Sequence, residues 1–375
     1  MNKKLRPIVK WTGGKYDEFA SFANHIPKFD RYIEPFFGGG GVFFALQPKG
    51  KSFINDKSTD LINFYRQIRQ PEFKTELYKY VEAWDELQTI NEQLWLRCAA
   101  AFKKYIQGVS EAADFNELLL KQLTLVLKSS LVFNQEDFVI NIALFKKMFL
   151  ASIADKARRI RNICKKESRK FNTAELESHF ETGIRSGVYL FFRKLLNQQY
   201  KQTVVLQPAK AAANWYFVRE FCYGSMFRFN NKGEFNIPYG GIAYNKRKFR
   251  HKAGKIFRDG ITDLFEHAEL FNLDFEAFLE QLDLKPKDFI FLDPPYDSEF
   301  SEYDQSAFTQ NDQQRLASFL IKTKAQWMVV IKETEFIRKI YTHPKVKMLT
   351  FDKSYTYNVR GRNNRAVKHL IITNK

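Results

Sequence analysis

The sequence predicts an α/β protein, a Rossmann-like sheet with helices on both faces, split by a mainly helical insertion that carries a β-hairpin. Three observations predict it. Short apolar runs around Tyr32-Ile33, Phe53-Ile54 and Phe289 to Leu292, bounded by charge or glycine, read as strands of a sheet covered on both faces. A glycine-rich stretch, Gly38 to Gly41, follows the first run directly and leads into an apolar helix start at Val42 to Leu46. Between about 72 and 222 strand signals nearly vanish, while Leu119, Leu123, Val126 and Leu127, and later Val188, Phe191 and Leu195, recur at helical spacing. At 375 residues the chain exceeds one ordinary core. The expected division is one domain from 1–71 and 259–375, and an inserted one over 72–258.

The first strand, from Arg31, ends at Glu34-Pro35 and opens into the glycines, which let backbone wrap a ligand at the sheet's carboxyl edge. No Gly-Lys-Ser/Thr closes the loop, so it is not a Walker loop, and a strict G-x-G-x-x-G is absent. The second strand, Lys51 to Asn55, ends in Asp56, about 20 residues on, where such folds place a carboxylate on ribose hydroxyls. Ser58 or Thr59 caps a helix to about Arg69, with Leu61, Ile62, Tyr65 and Ile68 on one face. After 260 the α/β rhythm returns. A strand is expected over Glu269 to Leu273, a helix over Asp274 to Leu282, a helix capped by Thr309, a strand over Gln326 to Ile331, and a terminal hairpin of Ser354 to Tyr357 with Val367 to Thr373. The loop Arg360 to Arg365 of that hairpin is basic.

The run Phe289-Ile290-Phe291-Leu292-Asp293-Pro294-Pro295-Tyr296 carries the chemistry. It delivers Asp293 at a strand's carboxyl end, where open α/β sheets place ligands. Two prolines, each with fixed φ and no N–H, make a stiff turn of backbone acceptors. Asp293 and the Pro294 carbonyl can each accept one N–H of an amino group on a flat ring, with Tyr296 stacked on its face.

With a formal net charge of +18 and a pI near 9.5, the chain suits a polyanionic partner, nucleic acid before membrane. No run approaches a membrane span, and no apolar core follows the basic N-terminus as a signal peptide would need. Cys98, Cys164 and Cys222 are scattered, fit a reducing cytoplasm, and suggest neither disulfides nor a metal site. Met226 to Tyr239, alternating around Asn230-Asn231-Lys232-Gly233, reads as the hairpin. Arg228 on it suits guanine, or else pairs with Glu234 across the hairpin. Residues 246–258 hold Lys246, Arg247, Lys248 and four further cations without one acid, with Phe249 interleaved, and suit phosphate contact. The basic runs 156–161 and 165–170 read as solvated helix faces or as phosphate contacts.

Together these segments resemble the Dam-like DNA adenine-N6 methyltransferases, α class in motif order. Lys10-Trp11-Thr12-Gly13-Gly14-Lys15 resembles the family's K-W-x-G-G-K, Glu34-Pro35-Phe36-Phe37-Gly38-Gly39-Gly40-Gly41 its E-P-F-x-G-x-G loop, and Asp293-Pro294-Pro295-Tyr296 its catalytic D-P-P-Y. Asp56 is similar to its second-strand acid, and Tyr223 to Asn230 with Gly233 to Pro238 to its target-recognition hairpin. The resemblance implies a Rossmann-like methyltransferase acting on double-stranded DNA. It implies S-adenosylmethionine held by Trp11, Lys15, Phe36, Gly38, Gly40, Asp56 and Asp293, and an adenine flipped onto Asp293, Pro294 and Tyr296. DNA contact is implied for Tyr223, Met226, Arg228, Pro238, Lys246, Arg247 and Lys248. A cytoplasmic enzyme without a metal is expected, with a cognate restriction enzyme as a partner that is not physically required. Gly224 stands where the family's GATC readers carry Asn, Lys332-Glu333 replaces a frequent Ser-Asn, and the helical insertion is long. An RNA adenine or cytosine-N4 methyltransferase and a non-catalytic DNA-binding relative remain as alternatives.

Overall fold

A computed structural model describes residues 5–295, 308–354 and 366–375. The chain divides into two compact units, one of residues 1–69 with 256–375 and one of residues 70–255.

The first unit is built on a seven-stranded sheet of β1 (Arg31–Glu34), β2 (Ser52–Asn55), β3 (Ala268–Phe271), β4 (Asp288–Leu292), β5 (Gln326–Lys332), β6 (Lys347–Ser354) and β7 (Ala366–Thr373). Their order is β3-β2-β1-β4-β5-β7-β6. The pairings from β3 to β5 are parallel, and β7 runs antiparallel to both β5 and β6. Its helices are α1 (Phe19–Phe22), α2 (Gly41–Leu46) and α3 (Thr59–Gln67), then α11 to α14 below.

Strands β2 and β4 are buried at every position, as two covered faces require. Ser58 caps α3 by accepting from Leu61 N, which fixes its start. Around β4 and β5 a core of Ile290, Leu292, Leu316, Leu320, Trp327 and Val329 excludes water. Arg31 closes the amino end of the sheet with a two-pronged grip on Asp288, Nε to Oδ1 at 2.7 Å and a terminal nitrogen to Oδ2 at 2.6 Å.

The second unit holds α4 (Pro71–Gln107), α5 (Ala112–Lys128), α6 (Ile142–Glu167), α7 (Thr173–Tyr200), α8 (Pro208–Phe221), α9 (Ile242–Asn245) and all but the last residue of α10 (Phe249–Ile256). Aromatic side chains fill its centre. Trp84 lies 3.8 Å from Phe221, and Tyr80 meets Phe138, Phe192 and Phe217. In α7, Gly183 and Gly187 sit one turn apart where an added Cβ would come within 3.0 Å of the Ile153 and Phe149 Cα atoms, so α6 and α7 approach closely. The remaining helices, α11 (Asp259–Glu266), α12 (Phe275–Glu280), α13 (Gln310–Lys322) and α14 (Glu335–Ile340), return to the first unit.

Three expectations need adjusting. Strand β3 ends at Phe271, before the expected Leu273, because buried Asn55 takes over the next backbone: its Oδ1 accepts from Leu273 N at 2.9 Å and its Nδ2 donates to Leu273 O. Helix α12, capped by Asp274, ends at Glu280 rather than Leu282. The terminal pair begins earlier, at Lys347, and Tyr355 to Tyr357 and Arg360 to Arg365 lie outside the described residues. As an edge strand, β6 turns Met348 toward the core while Leu349 stays exposed, so its apolar pattern is faint in the sequence. The 226–238 hairpin forms without a regular ladder, through an antiparallel bridge of Phe229 with Phe235 and backbone bonds from Asn230 N to Glu234 O and from Asn236 N to Arg228 O. Cys98 and Cys222 are buried, and burial pushes each thiol up to about 11, which suits packing rather than reactivity.

Candidate active site

Strands β1 and β4 are parallel neighbours, but the chain leaves β1 toward β2 and leaves β4 toward β5. The loops at their carboxyl ends therefore part, which is where open α/β sheets leave room for a ligand. The loop after β1 carries Phe36 to Gly40, and the one after β4 carries Asp293-Pro294-Pro295. Tyr296 lies outside the described residues.

The N-terminal segment lies against the first of these loops. A Cβ on Gly38 would stand 2.7 Å from Trp11 Cδ1, so the indole occupies the space a side chain would need. On Gly41 a Cβ would meet Lys15 N at 2.9 Å and Tyr16 N at 2.8 Å. Gly40 is the N-cap of α2, in the left-handed region. Phe36 packs against Phe275 and Phe308, with ring centres 5.5 and 5.4 Å away.

This packing carries Lys15 across to β4. Its ammonium donates to Asp293 Oδ1 at 2.6 Å and to the Gly13 carbonyl at 3.0 Å, and Lys15 is only 1% exposed. A buried ion pair with an additional hydrogen bond is a fixed arrangement, since separating it strands a charge out of water. Two motifs 278 residues apart in the chain thus meet at one carboxylate.

Asp56, at the end of β2, accepts from Gly38 N and from Ser58 N, both at 2.8 Å. It ties the glycine loop to the start of α3. A carboxylate offers about four acceptor positions, so this bonding is compatible with hydroxyl ligands as well.

Glu34, at the end of β1, was not singled out by sequence reasoning. It is buried and accepts from the Tyr32 hydroxyl at 2.9 Å. Burial pushes its carboxyl well above the ordinary value. The Tyr32 bond opposes that rise, and the charges of Asp293 and Asp56 add to it. Glu34 therefore lies where the charges of both Asp293 and Asp56 reach it. An acid inside an apolar strand was the available signal.

Gln313 of α13 was also missed. It is fully buried, and its Nε2 donates to the Pro295 carbonyl at 2.9 Å. The signal was a polar residue one turn ahead of Leu316 on the apolar face.

In the second unit, the 222–239 segment bridges to itself at Cys222–Tyr239 and Phe229–Phe235 and is also held by α7. Tyr189 donates to Ile237 O at 2.7 Å, Arg193 to Ile237 O at 2.9 Å, and Asn197 exchanges two bonds with the Phe235 backbone at 3.0 and 2.8 Å. These residues recur every four positions, so one helix face satisfies backbone that a ladder would otherwise pair. Glu234 is engaged by Lys201 and Asn230, so it does not pair with Arg228, which is exposed. Tyr223, Met226 and Pro238 are exposed as well.

Lys246 and Lys248 are exposed, but Arg247 is turned inward. It donates to the Glu220 carbonyl, and its guanidinium lies 3.3 Å from the centre of the Tyr244 ring. Lys252 pairs with the buried Glu220 carboxylate.

Comparison with known proteins agrees with this geometry. The family model of the D12 class N6 adenine-specific DNA methyltransferases matches residues 11–180 and 148–357. The chain belongs to that family. It is similar over nearly its whole length to the type II methyltransferase M.CviBI of Paramecium bursaria Chlorella virus NC1A, at 23% identity over 99% of this chain and 100% of that one. The type II methyltransferase M.MjaIII of Methanocaldococcus jannaschii is 24% identical over 92% of this chain and 90% of its own. The DNA adenine methylase of Escherichia coli K12 is 21% identical over 100% and 96%.

As a member of this family the protein is a DNA adenine-N6 methyltransferase. The RNA, cytosine-N4 and non-catalytic alternatives give way to it. Among the described residues no helix is long and apolar enough to cross a membrane.

Proposed function

We propose that the enzyme methylates N6 of an adenine flipped out of double-stranded DNA, at a specific site, with Asp293 and the Pro294 carbonyl accepting the two amino hydrogens. The observation that carries this reading is Asp293 at the carboxyl end of β4, beside the β1 loop, with Oδ1 held by Lys15. A base inside the duplex cannot reach such a strand end, so it must leave the stack. Hydrogen bonds from N6 to a carboxylate and a stiff carbonyl draw the amine lone pair out of ring conjugation and orient it. Positioning of that kind supplies much of the rate, with a carboxylate at hand for the proton. Lys15 acts here on the orientation of Asp293. Tyr296 is assigned the stacking partner of the adenine on sequence grounds.

The residues at the crevice suit S-adenosylmethionine. Trp11 lies against the glycine loop and Asp56 stands beside Gly38 at the end of β2, an aromatic face and a carboxylate that suit an adenine ring and ribose hydroxyls. Trp11, Phe36, Gly38, Gly40 and Asp56 would hold it with Lys15 and Asp293. When bound, it supplies the electrophilic methyl group. In the second unit, Arg228 and its exposed neighbours Tyr223, Met226 and Pro238 would read bases, and Lys246 and Lys248 would hold phosphates. The likeness to type II methyltransferases supports a place beside a restriction nuclease that need not bind this chain.

The test is methylation of unmodified plasmid by the purified protein, followed by sequencing with modified-base detection. N6-methyladenine within one short motif is expected, and at least about 100-fold slower methylation from Asp293→Ala. Methyl groups on cytosine N4, or wild-type incorporation by Asp293→Ala, would overturn the reading.

A further inference from the structure

Gln313 has an energetically odd placement. It is wholly buried on α13, beside Leu316 and Ala317, yet among the described residues its Oε1 has no hydrogen-bond partner. An apolar side chain of similar length would avoid that cost, since a buried polar atom left unpaired is destabilising. Among the described residues the one bond the Gln313 side chain makes is from Nε2 to the Pro295 carbonyl, and Pro295 is exposed. Water could satisfy that carbonyl, so the fold does not depend on the bond.

The turn itself does depend on such a bond for its rigidity. Prolines at 294 and 295 have no N–H, so no backbone donor within the turn can pin it. Lys15 holds its start at Asp293, and Gln313 holds its end. The ring of Pro295 fixes φ, and the Gln313 bond fixes the carbonyl and hence ψ. With both set, the preceding peptide plane, which carries the Pro294 carbonyl, has one orientation.

We infer that Gln313 is a positioning residue for methyl transfer, which fixes the Pro294 carbonyl toward the adenine amino group by holding the Pro295 carbonyl. This rests on the reading of Asp293 and Pro294 as the acceptors of N6. Gln313 acts through the backbone and does not touch the base.

The experiment compares full-length wild type, Gln313→Met, Gln313→Glu and Asp293→Ala under single-turnover conditions on an unmethylated duplex. Affinities for the duplex and for sinefungin, an unreactive cofactor analogue, are measured in parallel. Gln313→Met is expected to keep both affinities within about twofold and to lose about 10- to 100-fold in the transfer rate, the scale of a small misplacement at a reacting centre. Gln313→Glu is expected to recover rate relative to wild type as pH is lowered from about 8.5 to about 5.5, because a protonated carboxyl can again donate to the Pro295 carbonyl. A transfer rate for Gln313→Met within about twofold of wild type would overturn the inference, as would a loss confined to binding. If Gln313→Met does not fold, a flat Gln313→Glu to wild-type rate ratio over that pH range overturns it instead. Should Asp293→Ala be inactive while Gln313→Met is normal, only the role of Gln313 falls. Wild-type turnover by Asp293→Ala would remove the reading of the turn itself.

Discussion

The Asp293-Pro294-Pro295 turn and the 222–239 segment are both irregular backbone held by side chains from a neighbouring helix. Gln313 of α13 holds the first, and Tyr189, Arg193 and Asn197 of α7 hold the second. They differ in where the ionisable groups point. Around the turn Lys15, Glu34 and Asp56 face inward and are bonded, whereas Arg228, Lys246 and Lys248 face water. Inward groups can be held to a fraction of an ångström, which bond-making requires. Outward cations keep their hydration until a polyanion displaces it, which suits DNA contact.

The largest expected effect tests the inward side. Asp293→Ala should lower methyl transfer by about 10²–10⁴-fold, the usual scale for a positioned acid–base group, while DNA affinity stays near wild type. A gel-shift titration beside a methyl-transfer assay reads both, and a parallel loss of binding would show that the turn also carries DNA contact.

On the outward side two kinds of cation should fail differently. Arg228→Ala should weaken discrimination at one base pair by about 1–3 kcal/mol and leave the salt dependence of binding nearly unchanged. Replacing Lys246 and Lys248 together should weaken all sequences alike and reduce the slope of log affinity against log salt by about 0.9 per lost phosphate contact. Methylation profiles over a randomised-site library, with binding at several salt concentrations, separate the two. Unaltered site preference in Arg228→Ala would move base reading away from this segment.

Arg247 belongs with the inward group although it stands between those lysines. Arg247→Ala should cost about 1 kcal/mol of stability through the lost Glu220 and Tyr244 contacts, with little change in salt slope. Denaturant melts of the full chain provide the check, and unchanged stability with a flatter salt slope would return Arg247 to the phosphate-binding set.

The smallest effect concerns Glu34 and appears only with pH. Its carboxyl is held above the ordinary 4.5 by burial, so above that pH the unfolded chain gives up a proton that the fold retains. The folded state then binds more protons, and stability falls as pH rises. Glu34→Gln removes this burden. Its melting curve should coincide with wild type near pH 4 and lie above it at pH 8. A constant offset across that range would mean that Glu34 is ionised in the fold.

Much of this site could be read from residue order because its parts have strong local signatures. The apolar run before Asp293, the glycines after Glu34 and the acid at 56 each obey a rule that spans a few residues. Gln313 and the Arg247–Glu220 contact obey no such rule. Their partners lie 18 and 27 residues away, and each looked like an ordinary polar residue until tertiary packing brought its partner close. The hairpin was legible, but the helix that holds it was not, for a related reason. Alternation signals extended backbone, but it does not reveal that a helix face as well as the second arm completes the hydrogen bonding.

The order of the sheet has a further consequence for how the chain reaches its fold. Strand β4 pairs with β1 across 257 residues, and the whole second unit is synthesised between them. That unit is contiguous, and its helices close on near neighbours. By contrast β1 and β2 must wait, as a partial sheet with an unpaired edge, until β3 and β4 emerge from the ribosome. Contacts of such separation form late because closing so long a loop costs entropy before any pairing repays it. Slow refolding of the full chain, limited by joining β1 to β4, therefore follows from the same discontinuity that places Lys15 beside Asp293.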